Sequence, residues 1–153
     1  NGPSGGGGAV KAVKDIISIA SILIPAEDFS ISIQDAKHYL FTQPNKKFLL
    51  RPDIVITRKR DNAIFICDTK WKLLSNKKVN WGISQADMYQ MYAYQKKYNA
   101  KNITMLYPIT EQISQKIEHE KEIQFTSDDD VIVRVRFVDL FDIKKSLLGL
   151  IDL

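Results

Sequence analysis

Residues 48–72 read FLLRPDIVITRKRDNAIFICDTKWK. Two apolar segments flank a polar turn at 58–62, where Asp61-Asn62 is good turn chemistry. The spacing predicts one strand over 48–57 and a second over 63–71. Both are nearly continuously apolar, the pattern of strands covered on both faces in the middle of a sheet. Each carries one aspartate where a buried strand should be apolar: Asp53 in Arg51-Pro52-Asp53, and Asp68 in Asp68-Thr69-Lys70.

Side chains two apart on a strand point the same way, so Asp68 and Lys70 share a face. Thr69 is then expected to point away and to offer its backbone carbonyl nearby. Asp53, on the preceding strand, can meet Asp68 across the pair. A charged carboxylate in an apolar strand is costly, and two together repel unless a cation neutralises them. Mg²⁺ suits such a set, with Mn²⁺ as a substitute: it takes one or two carboxylates, keeps several waters and accepts a substrate phosphate. It would polarise a phosphodiester and acidify a bound water, with Lys70 orienting that water or stabilising the developing charge. The plainer alternative is that Asp53 makes a turn while Asp68 and Lys70 close a strand with an ion pair.

Working outward, 72–82 is a polar loop bracketed by Trp71 and Trp81. Packing at the base of that loop is the plainer role for the two indoles, and base stacking the alternative. Ser84 and Asp87 then open a helix running to about 99, with Asp87, Gln90, Met91, Tyr94 and Tyr98 on one stripe. A purely structural stripe would rarely hold Asp and Gln, so one edge of this helix is expected to face something polar. Residues 103–108 read as a buried strand, 111–120 as a weak polar helix, 122–126 and 131–138 as a hairpin, and 139–151 as a terminal helix.

Upstream, 29–34 alternate like a half-buried strand, and 37–42 either continue it or pair with the next. Residues 10–23 place Val10, Val13, Ile17, Ala20 and then Ile24 at helical spacing before Pro25. Residues 1–9, NGPSGGGGA, read as a linker or remnant outside the fold, and the abrupt start suggests a longer protein. The expected fold class is α/β (α+β), a central mixed sheet flanked by helices, in one domain over 10–153.

Composition narrows the chemistry. No apolar run is long enough to span a bilayer. The one cysteine, Cys67, sits in an apolar strand, which fits a reducing, cytoplasmic setting. His38 and His119 are far apart and far from Cys67, which argues against a zinc site. No P-loop, nucleophile elbow or dinucleotide fingerprint is present. Charge is uneven: residues 46–101 hold 13 Lys/Arg against 4 Asp/Glu, and the rest holds 9 against 14. The basic half contains the two aspartate-bearing strands, as a polyanionic partner would require. Arg58, Lys72, Lys77 and Lys78 are candidate phosphate contacts, each with a solvated surface charge as the alternative.

Pro52-Asp53 with Asp68-Thr69-Lys70 resembles the PD-(D/E)xK nuclease superfamily. The wider string resembles the McrC family, the nuclease subunit of McrBC modification-dependent restriction systems. It comprises Leu50-Arg51-Pro52-Asp53-Ile54-Val55, Asp68-Thr69-Lys70-Trp71-Lys72, the helix from Ile83 through Tyr94, and Leu106-Tyr107-Pro108. The resemblance implies a restriction-endonuclease-like fold, Asp53 and Asp68 (with the Thr69 carbonyl) as metal ligands and Lys70 as the catalytic lysine. It also implies that Gln90 and Tyr94 are the Q-x-x-x-Y pair of RecB-like members, beside the active site. The implied partners are double-stranded DNA carrying modified cytosine and an McrB-like AAA+ GTPase. Cutting both strands needs two sites, as in a dimer or higher assembly, or two events. Many superfamily members add an acidic residue from the first helix; here the candidates are Asp15 and Glu27. Two other readings stand beside the nuclease: a scaffold that binds DNA and stimulates the GTPase, and a basic nucleic-acid-binding module without metal.

Overall fold

The computed structural model describes residues 7–111 and 123–150. Its centre is the pair of apolar segments around the 58–62 turn. β4 (Ile54–Arg58) and β5 (Ala63–Thr69) pair antiparallel, with Ile56 opposite Phe65, and Asn62 takes the positive φ of 57° that the turn needs. β1 (Phe29–Ile33) adds antiparallel to the outer side of β4.

On the other side, β5 is followed by α2 (Gln85–Tyr98), which crosses over to β6 (Asn102–Pro108), parallel to β5. β7 (Ile123–Thr126) and β8 (Ile132–Val138) form a hairpin that joins through β8, parallel to β6. The six-stranded mixed sheet has the order β1-β4-β5-β6-β8-β7. β4 and β5 are interior strands, as their unbroken apolar runs require, and β6 is buried along its whole length.

The two faces of the sheet carry separate cores. α2 presses Met91, Tyr94 and Tyr98 onto Val55, Ile66, Met105 and Val135. On the opposite face, α1 (Gly7–Leu23) and α3 (Ile143–Leu147) cover Ile54, Ile56, Phe65, Cys67 and Leu106. α2 is fixed at both ends: the Ser84 hydroxyl accepts from the Asp87 N–H at 3.0 Å, and Asn99 closes the helix at φ 48°. Lysines 96 and 97 in its last turn suit the helix dipole.

Several expectations are corrected. The strand expected over 48–57 is two strands. Residues 50–53 lie outside any strand, because Pro52 has no N–H for a ladder and Phe48 turns the chain at φ 60°. The upstream piece, β3 (Lys47–Leu49), pairs with β2 (Tyr39–Phe41) in a separate two-stranded sheet, so 37–42 do not continue β1. α1 begins at Gly7, inside the stretch expected to be a linker. Its buried stripe is Ala12, Ile16 and Ala20, with Ile24 just beyond, while Val13 and Ile17 are only half-buried. The terminal helix is shorter than 139–151, since Asp142 caps its start by accepting from the Lys145 N–H. The helix expected over 111–120 falls outside the described residues except for Glu111.

Ile66 is wholly buried at the centre of β5, under α2. Ile66→Ala is expected to cost about 2–5 kcal/mol of stability through lost burial and the cavity it leaves. Chemical denaturation of the two proteins checks this.

Candidate metal and phosphodiester site

Where β4 begins and β5 ends, the two aspartates interlock. The Asp53 N–H donates to Asp68 Oδ1 at 3.1 Å. In return, the Thr69 N–H and the Thr69 hydroxyl both donate to Asp53 Oδ2, at 2.8 and 2.7 Å. Gln34, just past β1, holds the other oxygen: its Nε2 donates to Asp53 Oδ1 at 2.6 Å, and its N–H donates to the Asp53 carbonyl at 2.9 Å. Three consecutive sheet strands therefore converge on one carboxylate.

Lys70 follows directly. Its N–H donates to the Leu106 carbonyl at 2.8 Å, which extends the β5–β6 ladder by one residue and fixes where the side chain leaves the backbone. Its Nζ lies 3.0 Å from Asp68 Oδ2, donates to Gln90 Oε1 at 2.5 Å and is 3.6 Å from Asp87 Oδ1. Lys72 approaches the other Asp87 oxygen at 3.3 Å. Gln90 Nε2 donates in turn to the buried Tyr94 hydroxyl at 3.0 Å. The polar edge expected of α2 is thus Asp87 and Gln90, one turn apart, gripping lysines from the end of β5.

Asp68 is 4% exposed. Burial, then the neighbouring Asp53 charge, push its pKa up from 3.8 to about 6, against the opposing pull of Lys70. Beside it, burial and the Asp68 charge raise the Cys67 thiol to about 12, leaving it inert. Tyr107, on β6, is also shifted up by burial and by the charges of Asp87 and Asp68, and its buried hydroxyl has no hydrogen-bond partner among the described residues. The donor set is all oxygen, two carboxylates with no histidine or thiolate, which is the chemistry of a hard cation that keeps waters in its shell. Among the described residues, no group of three or more His, Cys, Asp or Glu side chains converges into a ready-made cage.

The structure brings Asp53, Asp68, Thr69, Lys70, Lys72, Gln90 and Tyr94 together. Thr69 differs from expectation: at the end of β5 its hydroxyl donates to Asp53 instead of pointing away. Arg58 lies elsewhere, at the far end of β4, roughly 16 Å along the strand from Asp53. There it grips Asp61 with two hydrogen bonds of 2.9 and 2.8 Å. Lys77 and Lys78 are exposed in the loop before the Val79–Gly82 turn. Neither candidate third acid reaches the pair. Asp15 is on α1, across the sheet, and pairs with Lys11 at 2.9 Å, while exposed Glu27 sits beside Arg58. Trp81 packs near Phe137, with ring centres 6.3 Å apart, and Trp71 is half-buried against the α1-side core. His38 stacks edge-on against Tyr98, and His119 lies outside the described residues.

Sequence reasoning missed the parts played by Gln34, Asp87 and Tyr107. Asp87 was visible as an acid on an otherwise core-facing stripe. Nothing in the sequence marked Gln34, whose role depends on the chain turning at φ 50°.

A carboxyl whose folded pKa lies above its unfolded one adds stability that is full below the unfolded value and lost as pH rises through the folded value. For Asp68 the loss runs from about pH 4 to 6 and amounts to about 3 kcal/mol. Asp68→Asn is therefore expected to stabilise the metal-free protein at pH 7.5 by about 1–3 kcal/mol. The gain should shrink toward zero at pH 4. Urea midpoints in EDTA at both pH values measure it.

Comparison with known proteins places the chain in a family. No curated protein matches the chain. A family model does match: McrBC, the 5-methylcytosine restriction system component, over residues 19–108. That span is more than half of the chain, running from the end of α1 through β6, and it contains every residue of the Asp53–Asp68–Lys70 cluster. The chain belongs to the McrBC family of 5-methylcytosine restriction system components.

Proposed function

We propose that this domain is a Mg²⁺-dependent endodeoxyribonuclease of the PD-(D/E)xK type. It would be the cleavage component of a restriction system that acts on DNA with modified cytosine and is driven by an McrB-like AAA+ GTPase. The observation that carries the reading is the interlocked pair of half-buried Asp53 and buried Asp68, with the Lys70 ammonium 3.0 Å from Asp68.

Asp53 and Asp68 would hold the metal, which supplies a polarised phosphate and a water acidified toward hydroxide. The rest is done by the chain. Lys70 presents a fixed positive charge where a phosphate oxygen gains negative charge during attack. Gln90 and Asp87 keep its side chain aimed, and Tyr94 keeps Gln90 aimed. Thr69 and Gln34 hold Asp53 in one orientation, so its carboxylate is already placed before any ligand arrives. The buried, inert thiol of Cys67 fits work in a reducing compartment such as the cytoplasm.

Titration calorimetry with Mg²⁺ or Mn²⁺ tests the site without the partner. Binding is expected in the wild type and lost in both Asp53→Ala and Asp68→Ala. Lys70→Ala should still bind metal, yet cut methylated DNA about 10²–10³-fold more slowly when assembled with the motor. Metal binding that survives both aspartate substitutions, or undiminished cleavage by either variant, would rule the assignment out.

A further inference from the structure

The chain enters the site from an unusual element. Residues 41–49 are exposed without a break, and the next residue, Leu50, is buried. They make up most of the β2–β3 hairpin, which stands apart from the main sheet. Phe48 is 70% exposed and Phe41 53%, and their rings meet edge to face with centres 6.0 Å apart. Phe48 also has φ 60°, a region that bulky side chains rarely adopt. Among the described residues this strained backbone delivers an aromatic ring mostly to water, with Phe41 as its ring neighbour, and such outliers gather at sites of function. The base of the hairpin is anchored: the Leu50 N–H donates to the His38 carbonyl at 2.8 Å, and His38 packs on Tyr98 of α2.

Charge selects the occupant. Residues 37–51 contain Lys37, Lys46, Lys47 and Arg51 and no acidic residue. A hairpin that carries two exposed rings and adjacent lysines, with no acid of its own, complements a polyanion that also offers stacked bases. Position agrees, since Phe48 and Asp53 are five residues apart. Fully extended chain would place them at most about 18 Å from each other, some five base pairs of duplex.

We propose that the β2–β3 hairpin is a duplex-DNA contact of this domain, in which Phe41 and Phe48 wedge into the minor groove and Lys46 and Lys47 take flanking phosphates. The proposal rests on the nuclease reading above and adds to it a substrate-gripping element a few base pairs from the scissile bond.

The test is binding of the whole 153-residue chain to a fluorescent 30-base-pair duplex in EDTA across a salt series. Phe41→Ala/Phe48→Ala should weaken binding about tenfold with an unchanged salt slope. Lys46→Gln/Lys47→Gln should reduce the slope of log K against log salt by about 1.8. Phe48→Gly should weaken binding while keeping or raising the thermal midpoint, because glycine accepts the positive φ; a ring with only a structural role would lower that midpoint. 2-Aminopurine in the duplex should brighten with wild type but not with the phenylalanine variants, which reports unstacking by the rings. Wild-type affinity in both double variants overturns the proposal and leaves the nuclease reading standing. Unchanged DNA binding with lost stimulation of the GTPase also overturns it, by assigning the hairpin to the motor. No duplex binding by the wild type overturns it too, and the metal titration then judges the nuclease reading separately.

Discussion

Two carboxylates that repel each other are held together at the end of two apolar strands, and much of the molecule is arranged to keep them there. Asp68 is buried at the end of β5, and Asp53 is brought to it by a backbone hydrogen bond in one direction and by Thr69 in the other. Asp68 cannot turn away without leaving the Asp53 N–H, and Asp53 cannot without leaving Thr69 and Gln34. Such a pair is poor for stability, because burial and the neighbouring charge both oppose ionisation of Asp68. It is well suited to receive a cation, which would relieve both penalties together. Strain kept at one site while two apolar cores hold the rest is a common division of labour in proteins.

Positive charge around the pair is rationed just as closely. Lys70 has three acceptors within reach, Asp68, Gln90 and Asp87, and two of them come from α2. If Asp68 turns its oxygens to a metal, Lys70 still has α2 to hold it. This makes the β5–α2–β6 crossover more than a connection between parallel strands. The Ser84 cap that starts α2 fixes the Asp87 backbone, and the helical repeat then sets Gln90 and Tyr94 on the same side. Tyr107 completes the wall from β6 with a buried hydroxyl that has no hydrogen-bond partner among the described residues. A water or a ligand oxygen at that place would satisfy it.

The sheet and the helix beside the site were legible because both rest on strong local signals. β4 and β5 are apolar runs around a turn, β6 is a third such run, and α2 announces itself with Ser84 and Asp87. The site was legible because Asp53 and Asp68 violate those runs, and a charge where a strand should be apolar is conspicuous. What depended on distance through space was not legible. Gln34 reaches Asp53 across 19 positions of sequence. The stripe of α1 was misphased because its isoleucines and valines are spread around the helix, so periodicity alone could not choose between Ile16 and Ile17. Arg58 was a candidate because it lies in the basic half of the sequence with the two aspartates, but β4 carries it to the end of the strand away from Asp53.

The largest misreading, one strand over 48–57, joins the site to the surface hairpin. A continuous strand would have carried Phe48 and Asp53 along one ladder and left Asp53 within the regular pairing of β4 and β5. Pro52 breaks that ladder, and the Asp53 N–H goes to the Asp68 carboxylate instead of to a backbone carbonyl. The same break lets 39–49 fold back as an independent hairpin beside α2. Binary patterning could not show this, because apolar residues on the two sides of the break have different reasons to be there: Ile54 and Val55 are buried in the cores, whereas Phe41 and Phe48 face water. One proline thus separates residues that hold the fold from residues free to meet something outside it, and the first polar side chain after that proline is Asp53.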